Sequence, residues 1–98
     1  MLFATLLSWK PGLNREQMDG AFMRRSQWKY PAGLKALGEY WTASPSPGVI
    51  FIFEASDYGP ILEIGMTWGD IFDITTLPGV TVEEGLRIGP EILQRRPG

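Results

Sequence analysis

Three carboxylates, Glu39, Glu54 and Asp73, lie inside strand-like runs rich in aromatic and β-branched residues. Converging in one cavity, they can do two kinds of chemistry: one carboxyl raised in pKa acts as a proton-transfer base, or several together hold a hard cation. The structural alternative is that they cap strand ends or pair with Lys35, Arg15 or Arg87, and ion pairs of that sort also shift pKa values. No spacing in the chain resembles a metal-binding loop, so no metal site is assigned. Trp9, Trp41, Trp68 and Tyr40 offer a different capability, a wall for a flat, apolar ligand. The same rings serve equally well as core or self-association packing.

The residues that are missing narrow the chemistry further. With no Cys and no His, the chain lacks thiolate nucleophiles, disulfides, imidazole bases and the common zinc and haem ligands. Ser44 and Ser46 have no His to activate them. No cofactor is expected, and the residue set favours a non-catalytic module over an enzyme. Arg24-Arg25 can hold an anion, but it falls where a helix ends in solvent, and Asp70 and Asp73 flank a turn that capping explains. Nine basic and eleven acidic residues give a net charge of −2, with no cationic surface for phosphates, so nucleic acid is not an expected partner.

At 98 residues with 44% apolar content, the chain has room for one two-layer core. No apolar run approaches the roughly 20 residues of a membrane helix. Met1-Leu2-Phe3 leads straight into a strand-like run without the features of a signal peptide, so the expectation is a soluble, cytoplasmic protein with no membrane partner.

Leu2 to Lys10 reads as a first strand stopped by Pro11-Gly12. A helix follows, with Asn14 as its cap, Gln17 completing a capping box, Leu13 and Met18 as the apolar staple, and Arg24 and Arg25 at its cationic end. Leu34 to Thr42 and Val49 to Ala55 form a hairpin across the loop Ser44 to Gly48. Ser56-Asp57 opens a second helix with Pro60 in its first turn, Ile61, Ile64, Gly65 and Trp68 on one face, and Gly69 at its end. Ile71 to Leu77 is a fourth strand, closed by Pro78-Gly79. Thr81 and Glu84 can start a last helix, but Gly85, Gly89 and Pro90 predict short helical pieces only.

The order β-α-β-β-α-β is that of an α+β, ferredoxin-like sandwich, with a four-stranded antiparallel sheet and two helices on one face. Residues 1–82 make the domain and residues 83–98 a C-terminal tail. Strands one and three are apolar on both faces, whereas a solvated sheet face should be polar. Collecting the strand carboxylates on one side puts Glu39, Trp41, Ile50, Ile52, Glu54, Asp73, Thr75, Thr5, Leu7 and Trp9 away from the helices. A second copy of the same sheet is the simplest cover.

MLFATLLSWKPG, GLKALGEYW, FIFEASDY and WGDIFDI together resemble a small uncharacterised, domain-of-unknown-function family of the dimeric α/β-barrel superfamily, over roughly Met1 to Val82. The resemblance implies a ferredoxin-like protomer whose sheet pairs face to face with its mate. That superfamily also includes cofactor-independent monooxygenases and haem-degrading enzymes; where these place a histidine, this chain has none. The expectation is therefore a homodimeric module binding a small apolar molecule between its two sheets, with Trp9, Glu39, Trp41, Ile52, Glu54 and Asp73 as candidate cavity residues. The alternatives are a cofactor-independent, monooxygenase-like enzyme and a purely structural or regulatory assembly domain.

Overall fold

The computed structural model describes residues 1–97. Its elements run β1 (Leu2–Trp9), α1 (Arg15–Gln27), β2 (Leu34–Trp41), β3 (Val49–Ala55), α2 (Gly59–Trp68), β4 (Phe72–Gly79) and α3 (Val82–Arg95). The four strands form one sheet in the order β2-β3-β1-β4, with every neighbouring pair antiparallel. The chain is thus an α+β protein. The fourth strand runs through Pro78 to Gly79 instead of stopping at Leu77, which an edge strand tolerates because a proline there need not donate to a further neighbour.

Local chemistry sets the helix ends. Asn14 accepts from the Gln17 amide at 2.8 Å while the Gln17 side chain accepts from the Asn14 amide at 2.9 Å, the capping box read from the sequence. At the second helix the cap differs from expectation. Tyr58 occupies the cap position without a side-chain bond, and Asp57 instead accepts from the Gly59 amide at 2.8 Å. Gly69 ends α2 with ordinary right-handed backbone; a Cβ there would lie 2.6 Å from the Gly65 carbonyl oxygen, so the residue permits close approach and not a left-handed turn.

The core lies between the sheet and the two helices α1 and α2. Phe53, Phe51 and Val49 of β3, Leu7 of β1 and Phe72 of β4 meet Ala21 of α1 and Ile61, Ile64 and Trp68 of α2. Thr5 is also fully buried on this side, its hydroxyl bonded to that of Thr76 at 2.8 Å. That bond is why Thr5 departs from the expected face: a polar strand residue can face the core when another hydroxyl satisfies it. Thr5, Leu7 and Trp9 therefore face the helices and not away from them.

In β2 the reason is a bulge. The pairing with β3 shifts register between Ala36 and Gly38, and an extra residue reverses which side the following residues take. Leu34 and Ala36 point to the helices before the shift; Glu39 and Trp41, opposite Phe51 and Val49, point the same way after it. Ile50, Ile52, Glu54, Asp73 and Thr75 do lie on the face turned away from α1 and α2, as expected.

The short helical pieces expected within residues 83–98 are one helix of 14 residues, α3, capped by Thr81 accepting from the Glu84 amide at 3.1 Å; Gly98 lies outside the described residues. Pro90 in the helix interior costs about 3 kcal/mol and each of Gly85 and Gly89 about 1 kcal/mol relative to alanine. Opposing this are the cap, an ion pair between Glu84 and Arg87 one turn apart, and a strongly one-sided apolar pattern. No residue of α3 is buried. The radius of gyration is 16.4 Å, against about 13 Å for a compact chain of this length, as a helix standing off the body would produce.

Candidate binding site

Glu39 sits at the centre of a polar knot between α1 and the sheet. Arg25, in the last turn of α1, donates from Nε to one Glu39 oxygen at 2.7 Å and from Nη2 to the other at 2.9 Å. The Tyr30 hydroxyl donates to the carboxylate at 2.7 Å and Trp41 Nε1 at 2.8 Å. Four donors fill the four positions that a carboxylate offers. The guanidinium also lies over the rings of Trp28 and Tyr30 at 5.3 and 5.2 Å and donates to the Trp28 carbonyl. Burial pushes the Glu39 carboxyl up, but the bonds from Arg25, Trp41 and Tyr30 overcome it and leave the pKa below the ordinary value. A carboxylate so saturated anchors structure; it has no free lone pair with which to take a proton.

Arg24 makes the neighbouring clamp. It holds Asp70 with two bonds of 2.9 Å, donates to the Thr67 carbonyl at 2.8 Å, and lies 5.2 Å from the Trp68 ring. The two arginines are thus committed to carboxylates, one joining α1 to the end of α2 and the other joining it to β2, and do not end the helix in open solvent. The Glu39 partner is Arg25 rather than Lys35, Arg15 or Arg87. Asp73 pairs with Lys10 at 3.1 Å on the exposed surface.

The six candidate cavity residues divide between the two faces of the sheet. Trp9, Glu39 and Trp41 stand on the helix side; Ile52, Glu54 and Asp73 stand on the other. Glu54 lies opposite Leu2 and Asp73 opposite Ser8 along β1, a separation of about 20 Å at about 3.3 Å per residue. The three carboxylates therefore do not converge, and among the described residues no group of acidic side chains is placed to share a metal ion.

What the helix side does assemble is aromatic. Trp41 packs against Phe22 of α1 at 4.4 Å between ring centroids and edge-on to Trp9 at 6.2 Å, and Trp9 in turn meets Phe72 at 4.4 Å. Gly48 makes room for Trp9: a Cβ there would lie 2.5 Å from its indole nitrogen. These rings wall a groove of about 280 Å³ between α1 and the β2–β3 loop, with Met18, Asp19, Thr42 and Ser44 also lining it. Phe22 is 56% exposed, although a large aromatic side chain ordinarily seeks burial. Behind it, the space enclosed by Arg25, Trp28, Glu39 and Trp41 measures only about 20 Å³, enough for a single water.

Asp19, Tyr30, the place of Phe22 in the groove and the pairing role of Arg25 do not stand out in the sequence. The signal available was positional: Phe22 and Arg25 share a helix face three residues apart, and Glu39 and Trp41 share a strand face two apart. Stacked as two layers, those pairs meet.

The profile of a family described as "Domain of unknown function (DUF3303)" matches residues 1–93. The chain belongs to this family. No curated protein and no solved structure matches it. Membership in the DUF3303 family brings no activity with it, so the functional reading rests on the groove and on the uncovered face of the sheet. Among the described residues, no helix is long and apolar enough to cross a membrane.

Proposed function

We propose that this protein is a homodimeric binding module with a ferredoxin-like protomer, and that each protomer takes a flat, largely apolar molecule in the groove of Trp9, Phe22 and Trp41. The observation that carries the reading is the groove itself: a volume near the lower end of the 300–1,000 Å³ or so typical of ligand sites, aromatic walls, and a few polar groups at the rim. Asp19 is the one charged residue lining it, which favours a neutral or cationic ligand over an anion. This seat differs from the space between two sheets, because Trp9 and Trp41 point towards α1.

The dimer has separate support. Leu2, Ala4, Leu6, Ile50, Ile52 and Leu77 occupy the face of the sheet away from α1 and α2, with Lys35, Glu54, Ser8 and Asp73 towards its margins. An apolar centre with a polar rim is the usual anatomy of an interface. The β2-β3-β1-β4 order is in keeping with a ferredoxin-like sandwich, whose two helices cover one face of the sheet and leave the other without them.

Two measurements test the two parts. Titration with 1-naphthylmethylammonium, followed by NMR, should shift the indole N–H signals of Trp9 and Trp41, while 1-naphthoate should bind more weakly and Phe22→Ala should abolish the shift. No shift at millimolar concentration overturns the groove as a ligand site. Sedimentation equilibrium should give twice the 11.0 kDa chain mass; the mass of one chain at micromolar concentration overturns the dimer.

A further inference from the structure

We propose that α3 is an intermolecular arm: its apolar stripe docks on the second copy and extends the contact between the two sheets. The inference rests on the dimer reading above and goes beyond it by assigning the C-terminal helix to the partner. Val82, Leu86, Gly89 and Leu93 recur at spacings of four, three and four, so they form one stripe; Glu83, Arg87, Glu91 and Arg95 line the far side, and Ile88 and Ile92 lie on the flank between the two. The large apolar residues of the stripe are exposed: Val82 is 71%, Leu86 73% and Leu93 61% accessible.

A helix in this condition needs a docking surface. Isolated helices shorter than about 12–15 residues are marginal even when rich in alanine, and helices in proteins owe most of their stability to packing an apolar face. With an internal proline and two glycines, α3 falls below that standard, and its own body half-covers Ile88 and Gly89 but fully buries none of its residues.

The geometry points to a second copy as the surface. Only Val80 and Thr81 separate α3 from β4, and Val80 packs close to Gly85, where an added Cβ would meet it at 3.8 Å. That packing holds the first turn of α3 against the connection, with the stripe uncovered. Leu77 on the open sheet face, then Val80, Val82 and Leu86, are all exposed apolar residues, so exposed apolar side chains recur along the chain from the edge strand of the sheet into the helix. Area argues the same way. Four strands of seven or eight residues give a face of roughly 19 by 26 Å, or roughly 500 Å² in projection, whereas a standard stable interface buries about 800 Å² per partner. A helix of 14 residues adds a strip roughly 21 Å long and 10 Å wide. The charged side of α3 is not the lysine- and arginine-rich surface of a membrane-binding helix, since Glu83, Glu84 and Glu91 outnumber Arg87 and Arg95.

Hydrogen–deuterium exchange on the full chain, at concentrations well above and well below dimer dissociation, tests the assignment. The amides of α3 should be protected at least 100-fold in the dimer and lose that protection on dilution, while the β1–β3 core stays protected. Leu86→Glu combined with Leu93→Glu should remove protection from α3 and weaken dimerisation at least tenfold without unfolding the sheet. An unprotected α3 in an intact dimer overturns the inference and leaves the dimer standing. Equal protection of α3 in monomer and dimer places the stripe on its own body and also overturns it. Protection that appears only with phosphatidylglycerol vesicles assigns the stripe to a membrane and does the same. A chain that stays monomeric throughout removes the dimer reading, and the inference with it.

Discussion

Arg25 and Glu39 face each other across the gap between α1 and β2, joined by two hydrogen bonds of 2.7 and 2.9 Å, with Glu39 only 13% exposed. Ala21 is the sole buried residue of α1, and its apolar pattern is weak. The helix is therefore fastened by its ion pairs and rings more than by an apolar stripe. Arg25→Ala should destabilise the fold by about 2–4 kcal/mol, since removing one partner leaves the other charge partly buried. Glu39→Gln should cost less, about 1–3 kcal/mol, because the amide still accepts from Tyr30 or Trp41. Denaturant unfolding of both single variants and the double variant should give a coupling energy well above the experimental error; a coupling near zero would mean that α1 is held by something else.

Acid should loosen this knot. Burial alone would raise the Glu39 pKa, but its hydrogen bonds hold it below the ordinary value, and the Arg24 bonds do the same for Asp70. A lowered folded pKa stabilises the protein fully above the unfolded values of about 4.3 and 3.9, and that contribution disappears as pH falls through the folded values. Stability should be level above about pH 5 and decline below about pH 4. Burial, and then the bond to Glu39, raises the Tyr30 pKa, so a second decline should begin as pH rises past about 10. Melting temperature against pH for the wild type and Glu39→Gln checks this: the variant should show a shallower acid limb, and an identical limb counts against Glu39 as its source.

Gly48 and Trp9 set the shape of the groove. A Cβ at Gly48 would lie 2.5 and 2.7 Å from two atoms of the Trp9 ring, and that ring is wedged against Phe72 and Trp41. Gly48→Ala should therefore displace the indole and cost about 1–3 kcal/mol, as overpacking does. The Trp9 indole N–H resonance should move even without ligand. An unchanged resonance would mean that the ring sits elsewhere in solution.

Asn14→Ala should cost about 0.5–2 kcal/mol. Asn14 and Gln17 satisfy each other's backbone amides at 2.8 and 2.9 Å, and alanine removes one of the two bonds. Unfolding midpoints equal to those of the wild type would show that the cap contributes nothing.

Features with a local cause were readable in the chain. The Asn14 box, the Val49–Ala55 strand and the Pro60 helix start depend on residues within a turn of one another. The faces were harder. Alternation placed Ile50, Ile52, Glu54, Asp73 and Thr75 on the open side, yet the bulge between Ala36 and Gly38 reversed Glu39 and Trp41, and no local residue pattern announces a one-residue register shift. Thr5 misled for another reason: its buried hydroxyl depends on Thr76, 71 residues away. The candidate site failed to assemble as read because Trp9, Glu39 and Trp41 went to one face of the sheet and Ile52, Glu54 and Asp73 to the other. For α3 the breakers Gly85, Gly89 and Pro90 argue locally against a long helix, and the one-sided apolar pattern that opposes them extends over the whole element.

Ile52 gives the most direct test of the open face. It pairs with Ala4 across β1 and lies at the Gly38 bulge of β2, at the middle of the apolar surface that Leu2, Leu6, Ile50 and Leu77 complete. The ring of Tyr40 lies over Gly38 on the same face, since a Cβ there would come 2.8 Å from its hydroxyl oxygen. Burying apolar surface contributes about 25 cal/mol per Å², and a carboxylate at the centre of such a contact would also lose its water without gaining a partner. Ile52→Asp should therefore yield a monomer or prevent folding, whereas Glu54→Gln, at the margin, should leave the dimer intact. On a solvated face, aspartate at this position would change little. A folded Ile52→Asp dimer with wild-type thermal stability would mean that the two sheets do not meet through this face, and the apolar residues at its centre would need another explanation.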